Sequence, residues 1–180
     1  MKNKTKNFTK NKLFYILLFL ISASIILLPL FFKIRVQELK TLGFIGLFII
    51  NFLGSATVFF PVPSIISVGV WGNIYNPLLV ALIGALGSSM GESIGYLFGS
   101  SSKEILNLKK HKFVFYFLDF LFKKLGIFII FLASFIPNPL FDGIGILVGI
   151  SSFSLKKFIV IVFLGRLLRN ILIAYLGANF

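Results

Sequence analysis

Cysteine is missing from this chain, histidine occurs once, and only 5 of its 180 residues are acidic. Without a thiol there is no disulfide, no Cys-ligated zinc, no iron–sulfur cluster and no cysteine nucleophile. A single imidazole, His111, leaves almost no scope for a histidine metal site or a Ser-His-Asp triad. No nucleophile–base pairing or ligand cluster is visible along the chain, so the expectation is no metal, no cofactor and no enzyme activity. Charge of either sign is scarce, at 13%, against a hydrophobic share of 58% and a mean hydropathy of +1.01. A soluble domain of this length needs more polar surface than that.

What is present is a series of apolar runs near the length of a membrane span. A span takes about 20 apolar residues to cross a core of roughly 30 Å. Leu13 to Phe32 is such a run, bounded by Lys12 and Lys33. It is longer than a signal peptide's apolar region and ends in Pro29-Leu30-Phe31-Phe32 without a small-residue cleavage site, so it reads as a retained first span. The formal net charge of +13 suggests nucleic acid at first sight, but its placement argues against that partner. Lys2, Lys4, Lys6, Lys10 and Lys12 precede the first span, and Lys103, Lys109, Lys110, Lys112, Lys123 and Lys124 lie in a central polar stretch. Basic residues gathered in the loops between apolar runs follow the positive-inside rule, and contact with anionic lipid head groups is a natural consequence.

Residues 1–40 form a basic leader, the first span and a connection, and residues 41–180 form the main body. A hairpin over 42–75 is broken at Pro61-Val62-Pro63, since two prolines one residue apart interrupt any helix. Such a break at membrane depth survives only inside protein or a watery cavity, so the hairpin is either re-entrant or crosses fully and returns to its starting side. A long helix over 77–99 follows, then an amphipathic stretch over 100–125 on the membrane surface, in which Phe113, Val114, Phe117, Leu118, Leu121 and Phe122 recur at helical spacing. A second hairpin over 126–151 breaks at Pro137-Asn138-Pro139, its first arm too short to span, and a last helix covers 154–177. Gly69 and the first proline pair fall on Gly145 and the second pair at a constant shift, and Gly87 and Gly99 fall on Gly165 and Gly177. The expected fold is an all-α integral membrane protein: an N-terminal span plus two hairpin-and-long-helix repeats of inverted topology. With the N-terminus cytoplasmic, thirteen lysines lie inside, against Lys33, Arg35 and Lys40 outside.

Four charges remain in the apolar segments: Glu92, Asp142, Arg166 and Arg169. Facing lipid, each costs about 2.5–3.5 kcal/mol on insertion scales, so pairing in a shared interior is attractive. Arg166 and Arg169 stand three apart on one helix face. Gly87, Gly91, Gly95 and Gly99, with Gly165 on the last helix, form small-residue surfaces for close helix packing. Asn138 suits an N-cap, Pro139 a first helical position, and Asp142 the positive end of the helix dipole. Plainer readings stand beside these: Asp142 as a capping charge, Glu92 with Arg169 or Arg166 as a structural ion pair, and the arginines snorkelling to an interface. The functional reading sees half-helix ends and arginines suited to a phosphate or other anionic head group, with Glu92 or Asp142 coupling to protons.

At these residues the sequence resembles the DedA/VTT membrane-protein family, also called the SNARE-associated Golgi protein family. The resemblance lies in Gly84 to Gly99, in Pro137-Asn138-Pro139-Leu140-Phe141-Asp142-Gly143 and in Gly165-Arg166-Leu167-Leu168-Arg169, and covers roughly residues 42–177. It implies two re-entrant hairpins and a lipid-handling role: a flippase or scramblase for phospholipids or for polyprenyl-phosphate carriers. By the same resemblance Glu92, Asp142, Arg166 and Arg169 form the functional polar set, with proton dependence and phosphate-bearing lipids as partners. The chain departs from the family pattern in one place. Many members carry an arginine just before the second hairpin's proline, where this one has Ala133-Ser134-Phe135-Ile136. The expected location is a multi-pass place in a prokaryotic plasma membrane. The alternatives are a small ion- or proton-coupled transporter and a non-transporting membrane scaffold.

Overall fold

Long apolar runs punctuated by glycine and proline give helices whose ends sit at those residues. The computed structural model describes residues 12–24, 42–57, 64–106, 112–137, 143–151 and 153–179. They form seven helices and no strand: α1 (Lys12–Ser24), α2 (Gly43–Ala56), α3 (Ser64–Ile74), α4 (Pro77–Ile105), α5 (Lys112–Phe135), α6 (Ile144–Ile150) and α7 (Leu155–Ala178). Among them, α4 with 29 residues and α7 with 24 are long and apolar enough to cross a membrane.

The local chemistry explains the starts and stops. Gly43 opens α2 at φ +55°, a left-handed conformation that favours glycine, and its carbonyl accepts the indole N–H of Trp71 at 2.9 Å. That bond, with Asn51 Nδ2 donating to Ser67 Oγ at 3.3 Å, ties α2 to α3 as the two arms of a hairpin. Asn76 caps α4 by accepting from the Leu78 and Leu79 amides, and Pro77 takes the first position, where a missing N–H costs nothing. Rings of Phe19 and Phe98 stack at 4.7 Å and hold α1 against α4.

Two boundaries differ from expectation. Residues 100–105 continue α4 instead of opening the surface stretch. Ser102 Oγ donates back to the Phe98 carbonyl at 2.7 Å, which gives that hydroxyl a partner within the helix. Lys103 Nζ reaches the Ser151 carbonyl at 3.0 Å and joins the ends of α4 and α6. The second difference is at Gly126, which lies inside α5 rather than between an amphipathic helix and a separate short arm. A Cβ there would sit 2.8 Å from the Phe153 ring. The glycine makes room for that aromatic, and packing outweighs a helix penalty of about 1 kcal/mol. Pro137 follows the end of α5 in an exposed position, while Pro61, Pro63, Asn138, Pro139 and Asp142 lie outside the described residues. The helix described after the second break, α6, starts at Ile144 with Gly143 as its N-cap and no side-chain cap.

The central pair, α4 and α7, pack on each other; α4 also receives α2 and α6, and α7 receives α3 and α5. Polar and charged side chains share the interior with two apolar clusters, while apolar side chains also line the outer faces of the central pair. Leu78, Leu82, Leu86 and Met90 line an exposed face of α4, and Val160, Leu164, Leu168 and Leu172 line one of α7. The opposite faces bury Gly84, Gly87, Ser88, Gly91 and Glu92 on α4 and Gly165, Arg166, Arg169 and Asn170 on α7. Exposed apolar stripes around a polar interior are what a lipid solvent selects.

Candidate functional site

Glycines bring the two long helices close enough for their polar side chains to meet. On α4, a Cβ at Gly91 would overlap the Phe52 carbonyl oxygen and lie 2.9 Å from the Ala56 amide. On α6, a Cβ at Gly145 would sit 2.8 Å from the Glu92 carbonyl oxygen and 3.2 Å from its carboxylate Oε2. Bare backbone is thus pressed against the one buried carboxylate among the described residues. From α7, Arg166 Nη2 donates to Glu92 Oε1 at 2.5 Å, with side-chain exposures of 4% and 2%. Of the two arginines the sequence offered, it is Arg166 that forms this pair. Arg169, three residues on, is equally buried and points Nη2 toward Asn170 Oδ1 at 3.5 Å.

The polar interior extends beyond the charges. Asn170 is fully buried, and its Nδ2 has no hydrogen-bond partner among the described residues. That amide lies beside Gly84, where a Cβ would come within 2.9 Å of it. The same point would be 3.6 Å from Nδ2 of Asn51, which is also fully buried. Ser88 Oγ donates to Asn51 Oδ1 at 3.3 Å, Asn51 Nδ2 donates to the Leu47 carbonyl at 2.9 Å, and Ser67 Oγ donates to the Ser64 carbonyl at 2.6 Å. An amide-and-hydroxyl cluster from α2, α3, α4 and α7 therefore adjoins the ion pair. Sequence reasoning from charges alone passed over Asn51, Ser67, Ser88 and Asn170. The signal that marks them is an amide or hydroxyl within an apolar helix, where it needs an internal partner.

Of the expected set, Glu92, Arg166 and Arg169 share this interior, and Asp142 lies outside the described residues. Gly87, Gly91, Gly95 and Gly99 all lie buried along α4, and Gly165 is buried on α7. Among the described residues no group of three His, Cys, Asp or Glu could hold a metal ion. The arrangement offers guanidinium donors, amides and hydroxyls inside an apolar exterior. Donors of this kind are suited to contact with a polar or anionic group. A family model described as the VTT domain matches residues 60–179. No curated protein and no solved structure matches the chain.

Proposed function

Because the chain belongs to the VTT-domain (DedA/VTT) family, we propose that it is a multi-pass membrane transporter for a lipid or lipid-phosphate. The substrate class is a phospholipid or polyprenyl-phosphate, moved in the manner of a flippase or scramblase and without bond chemistry. The observation that carries this reading is the buried Glu92–Arg166 pair, with Arg169 and the Asn51–Ser88–Asn170 cluster beside it, inside helices whose outer faces are apolar. A head group crossing a bilayer needs such a polar interior, and guanidinium groups suit phosphate.

Matching contacts support two related halves. The space beside Gly87 is filled by the Phe48 carbonyl, Asn51 Cβ and the Phe52 nitrogen, and that beside Gly165 by the Phe131 carbonyl, Ser134 Cβ and the Phe135 nitrogen. Gly99 rests on the Ile146 carbonyl as Gly177 rests on that of Gly69, and Gly149 on Tyr96 as Gly72 on Ala174. In this correspondence Glu92 falls on Asn170 and Ser88 on Arg166, so a charged pair in one half-site faces a neutral pair in the other. The second arm of each hairpin packs on the long helix of the opposite half. The described part of the second hairpin's later arm, α6, has seven residues, about 10 Å at 1.5 Å per residue against a core of roughly 30 Å, in keeping with a re-entrant arm. The lysine distribution supports a cytoplasmic N-terminus in a prokaryotic plasma membrane.

The test is head-group translocation of fluorescent lipids in proteoliposomes. Wild type is expected to move lipid between leaflets, and folded Glu92→Gln and Arg169→Ala variants to lose most of that rate. Unchanged rates in both variants, or no translocation by folded wild type of either phospholipid or polyprenyl-phosphate, would overturn the reading.

A further inference from the structure

Away from the buried pair, α5 and α7 diverge to leave a groove of about 470 Å³ with a charged end and an apolar end. Lys123, Lys124 and Lys157 line one end, and Phe128, Phe131 and Leu164 line the other. The two walls run in the same direction: Gly126 of α5 lies against Phe153 at the foot of α7, and Phe131 and Ser134 lie against Gly165. The lysines therefore sit at one level and the apolar residues at another. From Lys124 to Phe131, or Lys157 to Leu164, the helical rise is about 10 Å, roughly two-thirds of one leaflet's hydrocarbon depth.

The charge at the head of the groove is positive. Asp119 pairs with Lys123 at 2.7 Å, and Lys124 stands 5.7 Å from the centre of the Phe120 ring, leaving Lys124 and Lys157 to face an anion at the mouth. None of Glu92, Arg166 and Arg169 lines the groove, so this is a separate site from the polar interior. A cationic end joined to an aromatic channel of partial leaflet depth fits an anionic amphiphile, with the phosphate at the lysines and one acyl chain along Phe128, Phe131 and Leu164. We propose that the α5–α7 groove binds an anionic phospholipid from the lysine-rich leaflet. The site stands whether or not that lipid is the transported species.

The experiment is native mass spectrometry of the full chain in neutral detergent, with dioleoyl phosphatidylglycerol and dioleoyl phosphatidylcholine as equimolar probes. Wild type is expected to retain the phosphatidylglycerol at least about fivefold over the phosphatidylcholine. The Lys124→Gln/Lys157→Gln variant is expected to fall to near parity with an unchanged melting temperature, and Lys124→Arg/Lys157→Arg to keep the preference. Excess inorganic phosphate should leave the adduct in place, because the acyl chain holds it. The groove's share of retention is the part lost in Lys124→Gln/Lys157→Gln, a pair of residues outside the transport route. Parity in wild type, a preference that survives in the glutamine variant, or displacement by inorganic phosphate would each overturn the proposal.

Discussion

Arg166 and Glu92 hold each other inside an apolar body, and the cost of separating them sets the first expectation. Removing one member of a buried pair leaves an uncompensated charge, at a cost of roughly 3–5 kcal/mol. Arg166→Ala should therefore lower the melting temperature in detergent sharply. The double variant Glu92→Gln/Arg166→Gln removes both charges and should recover most of that loss, while translocation stays abolished. Recovery of both stability and transport would make the pair purely structural. At this scale the sequence was informative about charges and less so about amides. Glu92 and Arg166 stand out in apolar runs because every charge there needs a reason. Asn51 and Asn170 cost less to bury and so draw less notice, and only the tertiary approach of α2, α3 and α7 to α4 explains them. A second expectation follows: Asn51→Leu removes the acceptor of Ser88 Oγ, leaves a buried hydroxyl to find another, and should cost about 1–3 kcal/mol of stability.

Helices here meet through glycine, and the spacing between backbones decides what each position tolerates. Gly91→Ala would press a methyl group into the Phe52 carbonyl and the Ala56 amide of α2. A shift of packed backbone of that kind costs roughly 1–3 kcal/mol. Gly69→Ala places its methyl 3.8 Å from the Ile173 side chain, an ordinary contact, and gains helix propensity of roughly 0.5–1 kcal/mol. Thermal unfolding of the two alanine variants should therefore move in opposite directions. Element existence was legible from hydrophobic runs, and α7 ran close to its expected bounds. Element boundaries were less legible. Gly126 looked like a break because glycine's helix cost shows in the sequence, while the Phe153 ring that occupies its empty side belongs to another segment. Ser100 to Ser102 looked like the start of a polar loop, yet packing on α6, with Gly149 against Tyr96 and Ser100 and Lys103 on the Ser151 carbonyl, keeps α4 going.

Among the described residues α4 and α7 turn apolar faces outward, so lateral packing of helices, hydrogen bonds and the ion pair carry much of what holds them together. Orientation is testable because the chain has no cysteine and single thiols can be introduced without background. α7 is about 36 Å long at 1.5 Å per residue, with exposed Lys156 near its start and exposed Asn179 past its end. In right-side-out vesicles an impermeant maleimide should label Asn179→Cys at once and Lys156→Cys only after permeabilisation. The reverse pattern would invert the topology, and immediate labelling of both would deny that α7 spans. Lysine placement is what the expected orientation rests on, because insertion machinery responds to the same asymmetry. The contact of α4 with α7 was readable as a pairing of Glu92 with Arg166 or Arg169, but which arginine closes it, 74 positions away, was not. That separation has a consequence for biogenesis. At about 5–20 residues per second, the ribosome makes Arg166 roughly 4–15 s after Glu92. Through that interval the Glu92 carboxylate is without Arg166, with α1 and α2 already made and α7 still to be completed. A chain lacking Arg166 is therefore expected to show faster proteolytic clearance of the newborn protein as well as a defect in transport.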